Sequence, residues 1–223
     1  MDKESIIRNF VIAASAAIPV VGGATSVILD KYLPNKVEER KNKILENIQN
    51  DLENIDFNIL KNKLDNEEFY TVFLKVLNRS IANHRIEKLK AFRNILINNI
   101  LSEEKVYDEV SFFIRLTDEL TIDQIRILNF FYNAYFYKDQ ECMEVIIKNS
   151  SSMQKIMKSM WKDIDDDYLT ACTTELLRFW LITGSIKSKK NTGIDSYSLS
   201  SLGERYVKWI FSPIYMDMFK SEL

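Results

Sequence analysis

Between Asp165 and Ile210 the chain runs through a helical stripe, two short β-prone segments and a second helical stripe. That order is the layout of a winged helix, and it leaves few alternatives for the last third of the protein. Leu169, Cys172, Leu176, Phe179 and Trp180 recur at three- and four-residue steps. The spacing predicts a helix from about Tyr168 to Leu181, closed near Gly184, a residue type favoured just past helix C-termini. Leu176, Phe179, Trp180 and Leu202 are the expected inward-facing residues of this unit. Strands are expected at Ser185 to Lys189 and Asp195 to Leu199, joined through Asn191-Thr192-Gly193, where Asn and Gly tolerate positive φ.

Composition narrows the class. With 5 Gly and 3 Pro in 223 residues, and abundant Lys, Glu, Leu, Ile and Asn, the chain has little material for a β-sandwich and much for long helices. Apolar residues at 46% exclude a disordered protein. The fold expected is all-α with one small β-hairpin, a multi-helix body followed by a C-terminal winged-helix-like unit. A formal net charge of −2 means that any nucleic-acid contact must come from a local patch. Lys187, Lys189 and Lys190 at the wing, with Arg205 and Lys208 on the closing helix, form the candidate patch. Against it, Asp163, Asp165, Asp166 and Asp167 precede the would-be recognition helix and Glu175 lies within it, where they repel phosphate. Cys142 and Cys172 are read as reduced core thiols.

A second constraint lies at the N-terminus, where Phe10 to Leu29 contains no charged residue. The run includes Phe10, Ile12, Ile18, Pro19, Val20, Val21, Gly22, Gly23, Val27, Ile28 and Leu29, and its length matches a bilayer. Pro19 and Gly22-Gly23 break it in the middle, and half its residues are small. A helix pair, buried or packed on a partner, is the favoured reading. A membrane-inserting segment is the alternative, and a cleaved signal is opposed by Asp2 and Glu4 in the leading region.

Amphipathic helices fill the centre. Leu45, Ile48, Leu52, Ile55 and Ile59 read as one long helix with a single buried seam. Phe69, Val72, Phe73, Val76, Leu77 and Ile81 form the next stripe, followed by Ile86, Leu89, Phe92, Leu96 and Ile100, then by Val106, Val110, Phe113 and Ile114. Thr121 and Gln124 stand at capping-box spacing before Ile125, Leu128, Phe131, Tyr132 and Tyr135, the first helix of the winged unit. Residues 139 to 160 supply its second. The expected organisation is an apolar segment at 1–35, a helical body at 36–118 and a winged-helix-like domain at 119–223.

Chemistry-bearing patterns are sparse. Arg79 and His84 stand in an Arg-x4-His arrangement that resembles the ribonuclease motif of HEPN-type helical bundles, in which Arg and His handle the scissile phosphate. The pattern is short and weakly specific, so His84 is more simply a residue at a helix boundary. The aspartates around Asp165 lack the Gly and Glu of a calcium loop and are better read as complementing a helix N-terminus. With one histidine and no phosphate-binding or nucleophile motif, no cofactor, metal or catalytic residue is expected.

The order of signals, "AAIPVVGGATSVIL", "EEFYTVFLKVLNRSIANHRIEKLKAFRNILINNIL", "LTDELTIDQIRIL", "LLRFWLITGSI" and "YSLSSLGERYVKWI", resembles the abortive infection alpha group of bacterial helical proteins. Leu176, Leu177, Leu181, Ile182, Tyr197, Leu199, Leu202 and Gly203 carry the resemblance, all as structural positions. It implies a role in resistance to phage and transfers no catalytic residue. The function expected is therefore a non-enzymatic interaction or effector protein of the cytoplasm, with a protein partner or self-association, and with the membrane engaged if residues 10–29 are released. A winged-helix DNA-binding regulator and a helical ribonuclease using Arg79 and His84 are the alternatives.

Overall fold

The structure is a computed structural model that describes residues 2–17, 34–102, 107–136, 140, 144, 164–185 and 196–211. It is mostly helical, with one two-stranded antiparallel sheet among the described residues. Two compact units divide the chain, one described as far as Asp118 and one running from Glu119 to Phe211.

The first unit contains α1 (Lys3–Ala16), α2 (Pro34–Glu53), α3 (Phe57–Leu64), α4 (Glu67–Ala82), α5 (Ile86–Leu101) and α6 (Tyr107–Glu119). The stripe from Phe69 to Ile81 is buried as its spacing predicts, and α4 packs against α5 through it. Asn66 caps α4 by accepting the Phe69 N–H at 3.0 Å. The helix α1 lies on α2, burying Ile7, Val11 and Ala14. Its Phe10 ring stands 5.9 Å from Phe69 and 4.9 Å, edge-on, from Phe73, the offset and edge geometries that aromatic quadrupoles favour.

Two sequence expectations fail here. The predicted long helix ends at Glu53, because Asp56 starts a new one by accepting the N–H groups of Asn58 and Ile59. Ile55 stays buried in the turn, whereas Ile59, now on α3, is 41% exposed. At the start of α5, Ile86 is 66% exposed although its stripe mates Phe92, Leu96 and Ile100 are buried.

Helix ends in the first unit are closed by cations from other helices. Lys41 Nζ on α2 donates to Ser15 O at 3.1 Å, and Lys3 Nζ on α1 donates to Glu53 O and Ile55 O, each at 2.6 Å. Arg40 Nη1 reaches Ile81 O at 2.9 Å, Lys63 Nζ reaches Ser102 O at 2.8 Å, and Lys88 Nζ reaches Asp118 O at 2.7 Å. The C-termini of α1, α2, α4, α5 and α6 thus each place carbonyl oxygens, left without intrahelical partners, against a positive charge. Burial pushes the Lys63 and Lys88 ammonium groups below their ordinary pKa, for Lys88 against the opposing pull of Asp118.

The second unit contains α7 (Ile122–Phe136), α8 (Asp166–Arg178), β1 (Ile182–Ser185), β2 (Ser196–Leu199) and α9 (Ser201–Phe211). The strands pair antiparallel, Ile182 opposite Leu199 and Ser185 opposite Ser196. Apart from residues 140 and 144, the expected second helix at 139–160 falls outside the described residues, as does the turn at Asn191 to Gly193. The capping box at the start of α7 forms in full: Thr121 N–H donates to Gln124 Oε1 at 2.7 Å and Gln124 N–H to Thr121 Oγ1 at 3.2 Å. Gln124, fully buried, also donates through Nε2 to Glu175 Oε2 on α8 at 2.6 Å.

The end of α8 differs from expectation. The helix closes at Arg178, the first strand begins at Ile182 rather than Ser185, and Gly184 is a strand residue. Leu181 N–H bonds Leu176 O at 3.0 Å and Trp180 N–H bonds Leu177 O at 3.0 Å, the paired bonds of a Schellman end. Trp180 therefore takes the left-handed position, φ 56°, that Gly184 was expected to supply. Its ring consequently points outward, 69% exposed, while Leu176 is buried and Phe179 and Leu202 are half-buried.

Candidate functional site

A groove of about 290 Å³ opens on the first unit between α2 and α5, with α4 beneath it. Arg40, Lys43, Ile44, Asn47 and Ile48 line one wall from a single stripe of α2, since these positions are three, four, seven and eight residues apart. Ile86, Leu89, Lys90 and Arg93 line the other from α5 by the same spacing, and Val76 and Ser80 of α4 form the floor. The lining is predominantly apolar, with the cations at its edges.

Two contacts fix the direction of the walls. Arg40 bonds Ile81 O at the end of α4, just before α5 begins, and farther along both walls the Arg93 guanidinium pairs with Asp51 through two hydrogen bonds. The helices α2 and α5 therefore run the same way beside the groove. The bond to Asp51 also holds the Arg93 charge more firmly. Lys43 and Lys90, midway along opposite walls, are exposed and form no ion pair or side-chain hydrogen bond among the described residues. The arrangement can bury an apolar surface of a ligand while meeting negative charge on both sides.

Sequence reasoning missed this site because its walls come from two separate stripes. Arg40 and Lys43 lie off the seam of Leu45, Ile48 and Leu52, and Lys90 and Arg93 off the stripe of Leu89, Phe92 and Leu96, so neither pair stands out in the sequence. Their positions flanking Ile44, Ile48, Ile86 and Leu89 were the available signal, and only the pairing of α2 with α5 gives it meaning.

The residues singled out from the sequence are placed as follows. Arg79, on α4, is ion-paired with Asp118 at 2.6 Å, and His84 is exposed in the link between α4 and α5, outside either helix. Arg205 and Lys208 are exposed on α9, and Arg205 Nη1 contacts Ser201 O at 3.4 Å. Lys187, Lys189 and Lys190 lie outside the described residues. So do Ile18, Pro19, Val20, Val21, Gly22, Gly23, Val27, Ile28 and Leu29. From the same apolar run, Phe10 is half-buried against α4, and Ile12 is 57% exposed. Among the described residues no helix is long and apolar enough to cross a membrane.

Of the aspartates singled out from the sequence, Asp165 caps α8, Asp166 and Asp167 lie in its first turn, and Asp163 lies outside the described residues. Asp165 accepts the Tyr168 N–H at 2.9 Å, and no group of acidic, His or Cys side chains among the described residues could hold a metal ion. Cys172, buried between α8 and α7, has its thiol pushed above the ordinary range by burial, opposite to a reactive thiolate. Compared with protein-family models, with curated proteins and with solved structures, the chain finds no match in any of the three.

Proposed function

We propose that this protein works by binding, as a non-enzymatic interaction or effector protein, and that its setting is resistance to phage. The observation that carries the binding role is the groove between α2 and α5: an apolar slot edged by four cations, two of them without a partner among the described residues, is a recognition surface rather than a reaction centre. The resemblance to the abortive infection alpha group supplies the setting. Expression of the full chain in a bacterial host, with growth and plaque formation measured with and without phage, tests it. Restriction of phage or arrest of the infected host by the wild type, lost in Lys43→Glu/Lys90→Glu, is the expected result. Plaque formation and growth unchanged by the wild type would overturn the reading.

DNA binding by the second unit is the competing reading, supported by a hairpin followed by a helix that exposes Arg205 and Lys208. Asp166 and Asp167, exposed in the first turn of α8, weigh against it by repelling phosphate. Duplex binding that falls steeply with salt, and that survives Lys43→Glu/Lys90→Glu, would favour the regulator.

A further inference from the structure

We propose that the groove between α2 and α5 is the docking site of an acidic amphipathic helix contributed by a partner protein. This rests on the binding reading above and names the occupant. The inward stripe of α2 from Arg40 to Ile48 covers about 12 Å of helix axis, the length of roughly two helical turns. A mostly apolar groove of that length, walled by two helices that run in the same direction, takes the apolar face of a further helix, with anchors at i, i+3 or i+4, and i+7. Ile86 at the mouth and half-buried Leu89 are apolar surface that such a helix would cover.

Charge decides the chemistry of the partner. Arg40 and Lys43 stand on one wall, Lys90 and Arg93 on the other, spread along the groove rather than gathered at one end. A single-headed amphiphile such as a fatty acid places its charge at one point, whereas Lys43 and Lys90 stand on opposite walls. A helix with Asp or Glu on both borders of its apolar face meets both walls along their length. Arg40 and Arg93 are already engaged by Ile81 O and Asp51, so Lys43 and Lys90 are the cations available to it.

The test uses the full chain and a fluorescein-labelled peptide of about 18 residues, long enough for helix formation, with Leu at the i, i+3, i+4 and i+7 positions and Glu on both borders. A matched peptide with Lys in place of Glu is the control. Expected are saturable binding of the Glu peptide that weakens with salt, and no binding of the Lys peptide. Lys43→Glu/Lys90→Glu should weaken the Glu peptide about tenfold or more. Ile86→Ser, at an exposed site that leaves the fold intact, should weaken it without changing the salt dependence. Equal binding of both peptides, no saturable binding, or indifference to the lysine reversal would overturn the proposal. Tighter binding of labelled palmitate, lost in the same variants, would replace the helix by an anionic amphiphile and also overturn it. If the peptide fails while the lysine reversal still abolishes phage restriction, the helical occupant is wrong and the binding role stands.

Discussion

Trp180 and Gly203 show how single residues set the junction between α8 and α9. A left-handed L-residue costs about 1–2 kcal/mol, and the mostly exposed Trp180 ring recovers little of that by burial. Trp180→Gly should therefore raise the stability of the second unit by about 1 kcal/mol in urea unfolding. Gly203 is the opposite case. A Cβ there would stand 1.9 Å from Leu181 O, a backbone atom with little room to retreat. Gly203→Ala should lower stability by about 1–3 kcal/mol, and a melting temperature equal to wild type would show that α9 shifts freely. Ser200 ties the same junction: its hydroxyl donates to Trp180 O and accepts the Gly203 N–H at 2.8 Å, while its own N–H bonds Leu181 O at 3.1 Å. The sequence pointed to Gly184 as the cap because glycine is the usual left-handed residue. The chain instead spends its glycine where a helix must touch backbone, at Gly203, and accepts strain at Trp180.

At the scale of elements, what could be read in advance was what neighbouring residues decide. The stripe Phe69 to Ile81 and the Thr121–Gln124 box depend on spacings of three and four residues, and both are found. The break between α2 and α3 was hidden because Ile55 and Ile59 keep helical spacing straight through it. Asp56, a strong N-cap residue, was the available warning. The cation-closed helix ends were not legible at all, since each joins residues 26 to 52 positions apart wherever Lys3 or Lys41 is the donor. Lys3→Met should release the carbonyls of Glu53 and Ile55 and cost about 1 kcal/mol, with faster amide exchange in the turn after α2 than elsewhere in that helix. Uniform exchange along α2 in the variant would show that Lys3 is replaceable by water.

For the whole molecule, alkaline titration separates the two units. The lowered pKa of Lys63 and Lys88 lets the folded first unit give up protons before the unfolded chain does. Their contribution is fully present above the ordinary 10.5 and is lost as pH falls through the folded values. In the second unit burial raises Cys172 and Tyr197, so the folded form holds those protons longer. That contribution is present below pH 9.0 for Cys172 and below 10.0 for Tyr197, and is lost as pH rises through the folded values. Trp161, Trp180 and Trp209, the three tryptophans, all follow residue 119, so tryptophan fluorescence reports the second unit. It should change at lower pH than the far-ultraviolet helical signal, and Cys172→Ser/Tyr197→Phe should bring the two together. Coincident transitions in the wild type would contradict the assignment.

The exchanged cations of the first unit have a consequence for how it comes apart. Because α1 closes α2 and α2 closes both α1 and α4, removing α1 or α2 uncaps another helix. Fraying, which usually starts at helix ends as a local event, becomes a shared one, and the unit is expected to open cooperatively rather than peel from either end. A protease that cuts within α1 should for that reason expose sites in α2 and α4 in the same step, leaving no stable truncated core.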